Sequence, residues 1–424
     1  MRRMVLFSVL VYALLLVGLA TLNGALLALL LPLVIYIGVG LLYAPPQPRL
    51  EATRTISPDR TIPGEPVSVT LRITNRGRAL EEVLIADETP SVMEVFEGDA
   101  VVLTTLAMGD TLEVQYRMRG PRGHYQFAPV RVIARDRLGL FERQARVDAP
   151  GQLMVLPALA RLRKLDIRPR RTRVYSGQVP ARRGGPGVEF FGVREYQPGD
   201  SSRWINARVS ARHAHALYVN EFEQERTADV HLVLDARARS DVRWPGGSLF
   251  DHSITAAATL ADVMLQQGNR VGLLVYGGTF LKWVVPGYGK LQRERILRAL
   301  AGAEQGHHLV FEDLEHLPTN YFAPGSQLAV ISPLLPGDLR MLVTLQRTGF
   351  PLLVVTPDPV GLEEQKLDRR REVALAARIA GLERRLLISN LRRTGARVFE
   401  WDVSTPFHLA AAVLARAPIG KPGT

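Results

Sequence analysis

The amino-terminal run constrains this chain more than any other feature. After Arg2 and Arg3, Met4–Leu22 carries no charge, Thr21-Leu22-Asn23-Gly24 offers a turn, and Ala25–Tyr43 is again uncharged. Each half approaches the roughly 20 apolar residues needed to cross a hydrocarbon layer, whereas one span of about 40 would overshoot it. The expectation is a transmembrane two-helix hairpin over residues 1–45, in which Pro32 is tolerable. A cleaved signal peptide would need a shorter apolar region followed by a small-residue cleavage site. Basic residues flank the run on both sides (Arg2 and Arg3 before it; Arg49, Arg54 and Arg60 after it), and the turn has none. The positive-inside rule then predicts a multi-pass protein of the cell membrane with its body in the cytoplasm.

Residues 50–150 read as all-β. Val67–Thr74 alternates apolar and polar residues, Leu112–Met118 and Val130–Ala134 repeat the pattern, and Asn75-Arg76-Gly77 marks a turn. About a hundred residues of short strands at this spacing predict an immunoglobulin-like sandwich, most simply a spacer. Residues 151–186 read as a basic linker. Its Arg161–Arg183 portion holds nine basic residues against one acid, net +8 of the whole chain's +12. Such a run can contact anionic lipid head groups. Nucleic acid is disfavoured, since no aromatic residues interleave with the charges. With no cysteine anywhere, disulfides, thiolate metal sites and cysteine nucleophiles are excluded.

From residue 227 to 424 the chain alternates strands and helices. Val230–Asp235 is a short apolar run ending in a carboxylate, and Ser248 precedes Asp251 by three residues as a helix cap would. Further strands are predicted at Val271–Tyr276, Leu281–Val285, Leu328–Ser332, Leu352–Thr356 and Val398–Trp401. Helices are predicted to follow Ser248 and over Lys290–Ala303, Leu339–Arg347, Leu362–Arg393 and Pro406–Ala417. That alternation implies an open, mainly parallel, doubly wound sheet with its ligand site at the carboxyl ends of the strands.

Between linker and α/β domain, residues 187–226 concentrate charge around a Pro198-Gly199-Asp200 turn. Here Asp200 is expected to cap a helix beginning at Ser201. Arg194, Arg203 and Arg212 are expected to fork onto Glu189, Glu195 or Glu221. Gly187, Glu189, Phe190, Arg194, Tyr196, Pro198, Gly199, Asp200, Arg203, Ile205, Asn206, Ser210, Ala211 and Arg212 match a 26-residue signature. On these residues the chain resembles the family known as domain of unknown function 58. Ala207 departs from it, standing where the family has tryptophan. The segment reads either as a structural clasp or as a docking or anion-binding face.

That resemblance implies a von Willebrand factor A-like carboxyl-terminal domain, whose Asp-x-Ser-x-Ser site holds Mg²⁺ through oxygen ligands. Asp235 stands in the aspartate position, but Arg237 and Arg239 replace both serines. Guanidinium groups repel a cation and cannot ligate it, so no metal is expected, and Arg237 or Arg239 is expected to pair with Asp235. His213-Ala-His215 lacks a third ligand, and no phosphate loop, cofactor motif or nucleophile elbow is present. With no catalytic constellation recognisable, the reading is a membrane-anchored, non-enzymatic scaffold or assembly factor. Its protein partner is, by family resemblance, a MoxR-type AAA+ ATPase. The alternative is an anion-binding or hydrolytic module acting on a cell-envelope polymer or nucleotide through the Glu/Arg/Asp signature.

Overall fold

Pro32 decides how the apolar run folds. The computed structural model describes residues 2–136, 140–160, 162, 172–213, 216–244, 247–278, 281–307, 311–364 and 371–416. Helix α1 spans Arg2–Ala20, α2 Gly24–Ala28 and α3 Leu30–Leu42. The break between α2 and α3 falls at Leu29, where Pro32 has no N–H to offer the carbonyl four residues back. Asn23 starts α2, its side chain accepting from the Ala25 amide at 3.0 Å. The stretch Gly24–Leu42 is long and apolar enough to cross a membrane; the apolar part of the preceding helix, Leu6–Ala20, is shorter. The two helical segments pack together, with the rings of Phe7 and Tyr36 5.5 Å apart. A side chain on Gly18 would come within 2.8 Å of Leu27, so the glycine permits the close approach.

The chain divides into two compact units, Met1–Leu156 and Pro157–Thr424. After its helices, the first unit is mostly β. Strands β1 (Leu50–Ser57), β2 (Arg60–Thr61), β3 (Val67–Asn75), β4 (Leu80–Ala86), β5 (Glu94–Gly98) and β6 (Val101–Leu106) are followed by five more. These are β7 (Thr111–Arg119), β8 (Gly123–Gln126), β9 (Val130–Arg135), β10 (Glu142–Val147) and β11 (Gln152–Val155). Antiparallel sheets β1-β3-β7-β5 and β10-β9-β4-β6 share one core, and β2-β11-β8 forms a small third sheet. Alternation does the work: Val67, Val69, Leu71 and Ile73 of β3 are all fully buried, with polar residues between them. Across this core Arg54 of β1 forks onto Asp87, which follows β4. The Tyr116 hydroxyl of β7 donates to the same carboxylate at 2.8 Å.

The second unit begins within the stretch expected to be linker. Instead, β12 (Thr172–Glu195) pairs antiparallel with the first part of β13 (Tyr218–Asp235), in a register broken by bulges. Gly177 and Pro186, which read as linker punctuation, fall inside these irregularities and Gly184 and Gly185 border them, where bulges tolerate such residues; Pro180 instead pairs in register with Glu225. The contact of Arg161–Arg183 with lipid, and the side chains of Gly187–Glu189, lie outside the described residues. The second part of β13 pairs parallel with β16 (Arg270–Tyr276) on one side and β18 (Gln327–Ile331) on the other. A short hairpin, β14 (Arg243–Trp244) and β15 (Gly247–Ser248), lies between β13 and β16. Antiparallel β17 (Lys282–Gly287) closes one edge; β19 (Leu352–Pro357) and β20 (Arg397–Trp401) extend the other in parallel. The order β17-β16-β13-β18-β19-β20 reverses direction at β13, the geometry that opens a ligand crevice at the strand ends. Helices α4 (Ala207–Ser210), α5 (Leu249–Gln266), α6 (Gly289–Ala301), α7 (Asp338–Arg347), α8 (Pro359–Glu364), α9 (Arg371–Arg393) and α10 (Phe407–Arg416) complete this mixed α/β unit. Ser248 caps α5 by accepting from the Asp251 amide at 3.1 Å.

Candidate functional site

At the carboxyl end of β13, where the strand order reverses, Asp235 is buried and the chain turns sharply back over it. The Arg237 amide donates to Asp235 Oδ1 at 3.0 Å, which brings the Arg237 side chain over the same carboxylate. Its Nε donates to Asp235 Oδ1 at 2.8 Å and Nη2 to Oδ2 at 2.7 Å. The far side of the fork meets a second carboxylate: Nη1 and Nη2 donate to Asp338 Oδ1 and Oδ2 at 2.8 and 2.7 Å. Nη1 also reaches the Glu312 carbonyl at 3.0 Å. All five guanidinium N–H groups are therefore placed, in a side chain only 2% exposed.

The surroundings complete the balance. Ser332 Oγ donates to Asp235 at 2.7 Å and accepts from the Leu334 amide at 3.0 Å. Asp338 is the first residue of α7, where the helix end favours an anion, and it accepts from the Leu335 amide at 2.8 Å. Burial works against charge on Arg237. The hydrogen bonds and field of Asp235, then those of Asp338, outweigh it and hold the guanidinium protonated above its ordinary value. Two backbone features fit the loops around it. Gly277, at φ +79°, leaves room where a Cβ would lie 2.4 Å from Arg237 Cγ; Leu334 sits in the left-handed region at φ 64°. Arg239 turns outward to the rim, pairing with Asp313 at 2.6 Å and Glu312 at 3.6 Å. Beneath it the Tyr276 hydroxyl donates to the Asp313 carbonyl at 2.6 Å, and burial pushes its pKa up to about 12. A cation bound between Asp235 and Asp338 would have to displace the guanidinium. Among the described residues no cluster of three or more His, Asp or Glu is arranged to hold a metal.

The charged signature segment folds largely on itself and on the first part of β13. Arg194 forks onto Asp200 with two contacts of 2.7 Å and reaches Glu221 at 3.4 Å. Asp200 does not cap a helix: a 3₁₀ turn at Ser202–Trp204 starts there without a side-chain cap. Instead it accepts from the Gln197 amide at 2.8 Å, closing the Pro198-Gly199 turn, with Gly199 at φ +108°. The Arg194 hydrogen bonds, then that amide, hold the Asp200 carboxyl below its ordinary range. The cap in this segment is Asn206, which opens α4 by accepting from Val209 at 3.0 Å and donates to Asn220 at 2.7 Å. Ser210 Oγ clamps the Tyr218 backbone, accepting at 2.9 Å. Tyr196 joins through its amide, which donates to the Leu217 carbonyl at 2.7 Å. Among the described residues Arg203 and Arg212 make no fork onto Glu195 or Glu221, and the side chain of Glu189, the other expected acceptor, lies outside those residues. Both arginines are exposed, as are Arg208 and Glu195, and they make no ion pair among the described residues. Exposed His213 lies with its ring 4.9 Å from Tyr218, and His215 falls outside the described residues.

Both sites lie within one stretch of family likeness. Residues 192–359 match the family described as "Protein of unknown function DUF58". The DUF58 match thus takes in Arg194 through Arg212, Asp235, Arg237, Ser332 and Asp338, and it ends before α9. The uncharacterized protein Mb1516 of Mycobacterium bovis and the uncharacterized protein Rv1480 of Mycobacterium tuberculosis are each 30% identical over 159 residues. Those residues are 38% of this chain and 50% of each relative, so the chain spans half the length of the curated relatives it matches. Among solved structures, native alpha-2-macroglobulin from Escherichia coli matches at TM-score 0.22 and 17% identity, over 29% of this chain and 20% of that one. The cupredoxin domain of amoB from Nitrosocaldus yellowstonii matches at TM-score 0.19 and 10% identity, over 26% and 89%. Likenesses at these scores carry no argument about the fold.

Sequence reasoning missed Asp338. Its signal is local: an aspartate directly after Pro336-Gly337 at the start of a helical run, the position where a carboxylate settles on free amides. What no local pattern could indicate is its distance of 101 positions from Arg237.

Proposed function

We propose that this chain is a membrane-anchored, non-enzymatic scaffold whose von Willebrand factor A-like domain binds a protein partner at the carboxyl ends of its strands. In this reading the first unit is an immunoglobulin-like spacer carried by a transmembrane hairpin. The observation that carries the reading is the Arg237 fork. Asp235 and Asp338, the carboxylates available to activate water or hold a metal, are both taken up by an internal cation and backbone amides. Loops that a metal-dependent domain fixes through a bound ion are fixed here by a covalently attached guanidinium. Binding would therefore be constitutive and insensitive to chelators. The family likeness of the signature suggests a MoxR-type AAA+ ATPase as partner.

The test is capture of such an ATPase by the full-length protein in detergent. Arg239→Glu, which sets like charges against Glu312 and Asp313 on the rim, should abolish capture, while chelators leave it unchanged. Turnover on a broad hydrolase panel, or tight Mg²⁺ or Mn²⁺ binding in calorimetry that is lost in Asp235→Ala, would sink the proposal. The exposure of Arg203, Arg208 and Arg212 supports a second, anion-docking role for the signature. Arg203→Ala should then stay folded and lose a partner, whereas loss of folding would assign it to the clasp.

A further inference from the structure

Helix α9 is apolar on two sides. Its inner side buries Ile388 and Leu391 and directs Arg384 to the Thr356 hydroxyl at 2.7 Å and the Pro357 carbonyl at 2.9 Å. The opposite side carries Leu375, Ile379, Leu382 and Leu386, which are 57, 50, 54 and 64% exposed. A helix of a globular unit normally turns charged residues outward there. Steps of four, three and four residues are those of a heptad, with Leu375 and Leu382 at d and Ile379 and Leu386 at a. The stripe is confined to these positions, narrower than the face a helix lays on a core or a membrane, and Ile379 at a, set between Leu375 and Leu382 at d, is the combination that favours two strands.

The flanking charges choose the orientation. Arg378 and Arg385 take g positions and Glu383 an e position, and all three are exposed. In a parallel pair each g residue faces the e residue of the next heptad. Arg378 would meet Glu383 of the second copy, and the contact recurs by symmetry. An antiparallel pair would instead bring g against g, setting Arg378 beside Arg385. We propose that α9 is a self-association seam through which two copies of this chain pair in parallel. The seam spans only about 16 Å, so pairing should be weak between free copies and strong where they are held at high local concentration.

Because the chain has no cysteine, a single introduced thiol is unique. Full-length Leu382→Cys, reconstituted in bilayers and mildly oxidised, should give a disulfide-linked dimer, since facing d positions fall within the roughly 4.4–6.8 Å Cα separation a disulfide spans. Ala374→Cys, exposed but off the seam, should not. Adding Glu383→Arg to Leu382→Cys should remove the cross-link, and adding Arg378→Glu as well should restore it. Equal cross-linking at 374 and 382, or indifference to the charge exchange, would overturn the proposal. So would a thiol at 382 that is shielded without cross-linking, which would assign the stripe to the chain's own first unit. Quenching of a fluorophore at 382 by brominated lipid would assign it to the membrane and would overturn the proposal equally.

Discussion

At the scale of single residues, Arg237 is the clearest case of a group whose removal must be costly. Truncating one member of a buried charged pair leaves its partners desolvated, at about 3–5 kcal/mol; here two carboxylates would be left. Arg237→Ala is expected to lower stability by that order in thermal or denaturant unfolding of the full chain in detergent. Arg237→Lys should recover only part of it, because an ammonium has three donors and no planar fork. Unchanged stability in Arg237→Ala would mean that the fork is not formed. His231 offers a second test. It is 1% exposed, its ring stacks on Trp283 at 5.6 Å, and burial lowers its pKa from 6.5 to about 4. The unfolded chain then binds the extra proton between those values. The contribution of His231 is complete above pH 6.5 and is lost as pH falls towards 4, a change on the order of 3 kcal/mol. His231→Phe, which keeps the aromatic packing, should flatten the unfolding profile in that window; an unaltered slope would place the titration elsewhere.

At the scale of elements, period and capping carried most of the information. The β3 alternation, the Ser248 cap of α5 and the apolar runs of β13, β16, β18 and β19 were legible because each is a local consequence of what it buries. β12 was not, because Gly177 and Pro186, which would normally punctuate a linker, are absorbed there at register shifts against a partner more than 30 positions away. The outer stripe of α9 was hidden for a related reason: a helix apolar on two sides reads as one long charged amphipathic region. Within the signature the charge cluster was legible, but its wiring was not. Two arginines expected inside the network point outward, and the cap is Asn206. Asn206→Ala should therefore cost about 0.5–2 kcal/mol of stability for the lost cap, with the Asn220 amide oxygen also losing its donor. Asn206→Asp, which keeps the capping oxygen, should restore the larger part. Equal losses in the two variants would show that the contact with Asn220, and not the cap, is what matters.

At the scale of the molecule, the question is how many times the amino-terminal run crosses the membrane. Leu6–Ala20 is about 22 Å long as a helix, short of the roughly 30 Å hydrocarbon layer. That deficit argues for a single crossing by Gly24–Leu42, with the amino terminus and the body on opposite sides. Against it stands the full length of α1, Arg2–Ala20, which extends beyond the apolar part, and a mismatch costs only fractions of a kcal/mol per Å. The contact of Phe7 with Tyr36 and the close approach at Gly18 also favour two helices lying side by side. Basic residues at both ends of the run weigh the same way, since a single crossing would leave one cluster on the disfavoured side. Under the proposed hairpin, an amino-terminal fluorescent-protein fusion should glow, an alkaline phosphatase fusion after residue 60 should be inactive, and a cysteine at position 23 should react with an impermeant reagent from outside the cell. Active phosphatase after residue 60 alongside a glowing amino-terminal fusion would instead establish one crossing, and would move both the Arg237 loops and the α9 seam to the outer side of the membrane.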